Sequence, residues 1–166
     1  MQIIKKHPTE IEFAPFHEPA TKWFMVREEG GMPTVKALLE GEDKLVHYRI
    51  MSGIGLDPFT VRYRDVGRNL DALYGKPLAG KTLDELYTDW FRKRAYEGYK
   101  AAVDGRFPAY VRRSVATTVL KVGYHALYIP CGKDRVTEVV TYIMPINDAL
   151  KTRDYWEKAV KESPWF

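Results

Sequence analysis

The chain has 166 residues, one domain's worth at roughly 150 residues per domain and enough to bury a single core. Apolar residues at 45% and charged residues at 29%, with 26 Lys and Arg against 22 Asp and Glu, exclude a disordered chain and one that spans a membrane. The formal charge of +4 is too small to name a polyanionic partner and is local, because residues 88–113 hold seven bases against three acids.

Residues 1–18 carry Pro8, Pro15 and alternating charge without a sustained period, and read as an extended arm leaning on the domain or on a partner chain. Pro19 opens a helix that the double glycine Gly30-Gly31 stops, and Pro33 opens a second short helix through Leu39. The β-branched and aromatic runs 45–54 and 59–66 predict a hairpin, with turn residues Gly55 to Pro58 between them. Residues 68–105 lack such runs. Phe91, Ala95, Tyr99 and Ala102 recur there at helical spacing, with Thr88 as N-cap and Gly105 as the stop. After Pro108 three more strands follow as a meander, broken at residues 121–123 and at the turn 131–134. Asn147 caps a closing amphipathic helix that runs to Lys161. The order predicts an α+β domain: a five-stranded antiparallel sheet with helices gathered on one face, flanked by N- and C-terminal helices. The expected divisions are an arm at 1–18, a domain at 19–147, and a helix with its tail at 148–166.

The sharpest motif is Gly75-KPLA-Gly80-Lys81-Thr82, which satisfies G-x-x-x-x-G-K-[ST]. In a P-loop the glycines let backbone N–H groups wrap a phosphate, the lysine reaches the outer phosphates, and the hydroxyl holds Mg²⁺. Here a helical segment precedes the pattern instead of a buried parallel strand, and Pro77 stiffens it, so a turn between short helices is the expectation. His7, His17, His47 and His125 show no metal-ligand spacing. Ser52, Ser114 and Ser163 lie outside any nucleophile elbow, and no catalytic constellation emerges. The lone Cys131 closes no disulfide within the chain; Lys133 and Arg135 beside it would favour a thiolate, yet a lone thiol on a turn is more often inert, and no nucleophile is assigned there. A solvated helix face accounts for the Arg92-Lys93-Arg94 run as well as nucleic acid does, and nucleic acid is not the expected partner. A single cysteine, with no signal-like or membrane-length apolar run, reads as a cytoplasmic protein.

Val61-RYRDVG followed by Leu73-YGKPLAGKTLDEL resembles the bacterial PAS-like family, whose members read RYR-x-VG and then fG-x-x-L-x-G-x-x-L-x-E-L. Trp23, Arg27, Gly30-Gly31 and Met32-Pro33 look like that family's leading helix and its break, and Tyr128-Ile129-Pro130 resembles the ending of its fourth strand. The resemblance spans roughly residues 21–147 and places Gly75 and Gly80 at the family's own glycines. It implies a sensory domain: a five-stranded sheet cupping a small molecule under the helices, with terminal helices that make a homodimer or engage a signalling partner. Haem is not expected, since residues 68–105 contain no histidine, nor is a photoactive flavin, since Cys131 lies elsewhere. The cofactor is therefore left open, as a small organic ligand or none. Two other classes stay open, a nucleotide-binding enzyme built on Gly75 to Thr82 and a purely structural dimerisation domain. Strand alternation puts Val61 and Tyr63 on one face and Arg62 and Arg64 on the other. The expected pocket is lined by Tyr63, by Trp90 and Tyr99 from the long helix, and by His125 and Tyr142 from the last two strands.

Overall fold

The computed structural model describes residues 1–27, 29–42, 44–86, 89–116 and 121–146; the side chains at 73, 74, 89–91, 114–116, 121 and 122 lie outside that description. The closing helix expected from Asn147 falls outside the described residues. The six strands are β1 (Gln2–Ile3), β2 (Arg49–Leu56), β3 (Phe59–Val66), β4 (Ala109–Ala116), β5 (Lys121–Cys131) and β6 (Glu138–Pro145). Among the described residues the α-helices are α1 (His17–Val26), α2 (Val35–Leu39), α3 (Arg68–Tyr74), α4 (Leu83–Leu86) and α5 (Asp89–Gly105). The strands form one sheet in the order β1-β4-β5-β6-β2-β3 with every neighbouring pair antiparallel.

The hairpin starts later than its composition predicts. Val46–Tyr48 coil as a 3-10 turn before Arg49 enters the ladder, and Leu56 pairs with Phe59, so Asp57-Pro58 alone makes the connection. α1 begins two residues before Pro19, which sits in the first turn where its missing N–H leaves no helical bond unmade. Thr34 caps α2 by accepting the Ala37 N–H at 3.2 Å.

The sheet has six strands instead of five because the N-terminal segment is built into the domain. Gln2 and Ile3 pair with Tyr110 and Ala109 at the β4 edge, and Ile4, Ile11 and Phe16 are buried. Each such side chain contributes about 1.5–3 kcal/mol by leaving water.

Helices also cover both faces of the sheet, where the sequence predicts one. Cross-strand pairs share a face, so Ser52, Tyr63, Tyr128 and Thr141 point towards α5. Tyr110, His125, Leu127 and Tyr142 point to the opposite side, under Phe13, Phe16 and α1. Trp23 of α1 is fully buried there and donates its Nε1–H to the Pro130 carbonyl at 2.8 Å. The Arg27 guanidinium lies 5.2, 5.4 and 5.7 Å from the Trp23, Phe24 and Phe107 rings, tying the end of α1 to the α5–β4 connection. Over β3 this outer face is open, and the exposed Arg64 pairs with Glu138 at 3.0 Å.

On the inner face α5 approaches closely enough for the Tyr128 ring to lie against Gly98, where an added Cβ would stand 2.2 Å from Cζ. Tyr128 is buried and also meets Tyr99 edge-on at 5.0 Å, so its ring has no empty space to enter. Gly98→Ala gains about 1 kcal/mol of helix propensity but overpacks this contact, which costs typically 1–3 kcal/mol or more. A net loss of stability in urea denaturation is the expected outcome; an unchanged or raised midpoint would contradict the packing described.

Candidate functional site

The five residues expected to line one pocket do not converge. Tyr63 and Tyr99 lie on the α5 face, His125 and Tyr142 on the opposite face, and the Trp90 side chain is outside the described residues. Alternation within β3 places Tyr63 correctly. The error lies in relating β5 and β6 to it, which depends on cross-strand register.

Tyr63 and Tyr99 are buried members of the core. The Tyr99 hydroxyl lies 3.3 Å from Ser52 Oγ, and burial pushes its phenol above the usual range while the Ser52, Thr141 and Tyr63 hydroxyls pull the other way. The result is a neutral hydroxyl cluster beneath α5.

Across the sheet, the His125 ring stacks on Phe13 at 4.0 Å and 7°, and Nδ1 lies 2.7 Å from the Tyr110 hydroxyl. Tyr110 also donates to Glu12 Oε1 at 3.2 Å, and Glu12 pairs with Arg112 at 3.3 Å. Burial lowers the His125 pKa below 6.5, Glu12 raises it and Arg112 lowers it further. These contacts clasp the N-terminal segment onto β4 and β5.

Tyr142, by contrast, reaches an opening. A cavity of about 400 Å³ lies between the N-terminal segment and the outer face of β6, with Pro15, Pro19 and Lys22 on one wall, Leu38, Glu42 and Leu45 on another, and Tyr142 from the sheet. Glu42 accepts the Tyr142 hydroxyl on one oxygen and the Arg49 guanidinium on the other. The Tyr142 phenol is therefore pushed well above its ordinary value, first by burial and then by that carboxylate. Sequence periodicity missed this place because its walls come from segments with no regular period; prolines 15 and 19 flanking Phe16 are the one local signal of a fixed, chain-reversing wall.

The remaining motifs are occupied structurally. Gly75, at φ 68°, caps α3 by donating to the Asp71 carbonyl, and the Leu78 N–H goes to Asp71 Oδ1. Gly80 donates to the Tyr63 carbonyl at 2.7 Å, the Lys81 N–H goes to Leu78, and the Thr82 N–H is taken by Glu85 at 2.7 Å. Those amides face protein acceptors, so they form no phosphate cradle. Thr82 and Glu85 form a reciprocal capping box for α4. Cys131 ends β5 fully buried, and burial raises its thiol pKa, opposite to the thiolate that Lys133 and Arg135 would favour. The basic stretch is largely paired: Arg92 with Asp84, Arg94 and Arg113 with Glu97, Lys100 with Asp104, Arg112 with Glu12. Among the described residues no His, Cys, Asp and Glu cluster is arranged to hold a metal ion, and no helix is long and apolar enough to cross a membrane.

Around one antiparallel sheet, the β2–β3 hairpin forms an edge, the helical block α3–α5 follows it, and β6 returns to pair between β5 and β2. Comparison with solved structures finds three likenesses of low similarity. A domain of an HTR-like protein from Haloarcula marismortui is similar at TM-score 0.45 and 16% identity, over 60% of this chain and 98% of that one. The PAS domain of a protein from Colwellia psychrerythraea is similar at 0.43 and 11%, over 60% and 86%. A C-terminal domain from Streptococcus mutans is similar at 0.39 and 12%, over 64% and 83%. No family model and no curated protein matches the chain. Relative to the five-stranded sheet expected from the sequence, this chain adds β1 at the β4 edge and lays Phe13, Phe16 and Trp23 over the outer face.

Two outcomes follow for these side chains. Because folding depresses the His125 pKa, the stability its neutral form supplies is complete above pH 6.5 and is lost as pH falls through the lower folded value. The urea midpoint of the wild type should drop between pH 7 and pH 5 more steeply than that of His125→Gln; equal slopes would remove His125 from the clasp. At the glycine-rich turn, Thr82→Ala should cost about 1 kcal/mol through the lost cap, and Mg-ATP should leave the melting temperature of the wild type and of Lys81→Ala alike unchanged.

Proposed function

We propose that this chain is a sensory module of the PAS type, with a small molecule in the outer-face cavity as its input. The observation that carries the reading is the composition of the cavity wall: one side belongs to the N-terminal segment, from Ala14 to Lys22, and the other to Leu38, Gly41, Glu42, Lys44 and Leu45, with Tyr142 of β6 between them. An occupant touching both sides favours the docked arrangement of that segment over any looser one, and a ligand shifts an equilibrium only through such a difference in affinity. At a hundred times its Kd, an occupant stabilises the docked form by about 2.7 kcal/mol. The output is then the position of the N-terminal segment, passed to a signalling partner or to a second copy of the chain.

Tyr63 and Tyr99 act in this reading as core residues that hold α5 on the sheet, and Tyr142 is the site residue retained from the sequence. A cytoplasmic setting agrees with the single, buried Cys131.

Native mass spectrometry of the purified chain, followed by denaturing extraction, tests the proposal. A small molecule retained by the wild type and lost from Ala14→Trp, which fills the cavity from its exposed rim, is the expected result. If nothing is retained, and Ala14→Trp matches the wild type in melting and in oligomeric state by light scattering, a purely structural dimerisation domain becomes the better account.

A further inference from the structure

Resting on that reading, we infer that the cavity takes a small organic carboxylate with a compact apolar body. The volume of about 400 Å³ lies within the range of small-molecule sites, roughly 300–1,000 Å³. Pro15, Pro19, Leu38 and Leu45 offer the body an apolar surface, and the Tyr142 ring closes the sheet side.

The charged lining residues decide the sign of the ligand. Glu42 is bound on both oxygens, to Arg49 and to Tyr142, and the Arg49 and Glu42 side chains are only 13% and 11% exposed. That pair is neutral and closed, so it is no receptor for a cation. Lys22 reaches the Glu40 carbonyl, and among the described residues no carboxylate lies within ion-pairing distance of its ammonium. A carbonyl satisfies a donor without cancelling its charge. Lys44 pairs with Glu18 at 3.4 Å, but both side chains are about three-quarters exposed, and such pairs contribute little and open readily. Lys44 adds no net charge to the lining, since Glu18 lines the cavity beside it. Of the charged lining residues Glu18, Lys22, Glu42 and Lys44, the two carboxylates are offset by Lys44 and by Arg49, so among the described residues one positive charge remains over, at Lys22, beside an apolar wall. Inorganic anions gain nothing from that wall, neutral molecules gain a hydrogen bond but no charge pairing from the lysines, and cations are repelled by them.

The test uses the full chain at low ionic strength, where surface charge is least screened. Benzoate and hexanoate are compared with benzamide, benzylamine and inorganic phosphate by isothermal titration and thermal melting. Benzoate or hexanoate should raise the melting temperature and bind at least tenfold more tightly than benzamide, with benzylamine and phosphate weaker still. Lys22→Met should weaken the carboxylate about tenfold and leave benzamide unchanged, while Lys22→Arg keeps the preference. Benzamide or benzylamine binding as well as benzoate, in a manner that Ala14→Trp abolishes, overturns the carboxylate assignment and leaves the sensory reading standing. Phosphate binding as tightly as benzoate overturns the requirement for an apolar body. If no probe binds and denaturing extraction of the wild type returns nothing, both the ligand class and the sensory reading fail.

Discussion

A strand with no face towards water has to be covered twice, and the architecture of this domain follows from that constraint on β5. From Gly123 to Cys131 every residue is buried, whichever way its side chain points. One set packs beneath α5; the other would lie bare without the N-terminal segment. Phe13, Phe16 and Trp23 supply that second cover, and the bond from Trp23 to the Pro130 carbonyl fixes where it sits. The six-stranded sheet, the outer-face cavity and the clasp at His125 all depend on this docking. β3 answers to a different constraint, since its outer residues are exposed and its sequence alternates accordingly.

That docking joins local chemistry to the proposed function. The cavity is the part of the interface between the N-terminal segment and the sheet that side chains do not fill, whereas the clasp at Glu12, Tyr110 and His125 is the part that hydrogen bonds close. One end of the same segment is therefore held by the ring of His125, whose pKa burial lowers, and the other end borders the cavity. Under α5 the close approach at Gly98 and the hydroxyl cluster around Tyr99 leave a tightly built interior.

The limits of the sequence as a guide follow the same division. Alternation in FTVRYRDV made β3 and the inward Tyr63 legible, and the turn chemistry around Gly75 and Gly80 separated a helix-connecting loop from a phosphate cradle. The largely apolar runs of β5 and of β6 from Val139 to Tyr142 held the signal for two-sided burial, which a parity argument passes over because both parities are mostly apolar or aromatic. His125 and Tyr142 were assigned to the face of Tyr63 for that reason. Ile4, Ile11 and Phe16 are spaced without period, so their burial becomes visible only once the surface they cover exists. The walls of the cavity are distant in sequence, and no local pattern joins Pro15 to Leu38 and Tyr142.

The pairing of Ile3 with Ala109 and the bond from Trp23 to Pro130 also set an order of events during synthesis. Within this domain the N-terminal segment is made before the strands on which it docks. Until β4, β5 and β6 have emerged, Ile4, Ile11, Phe16 and Trp23 have no partner surface and stand in water as a sticky, aromatic leader. Contacts separated by more than a hundred residues carry a large loop-closure cost and slow folding. The nascent domain is thus most prone to aggregation late in translation, when its leader is longest exposed and its sheet is still missing the strands that the leader covers.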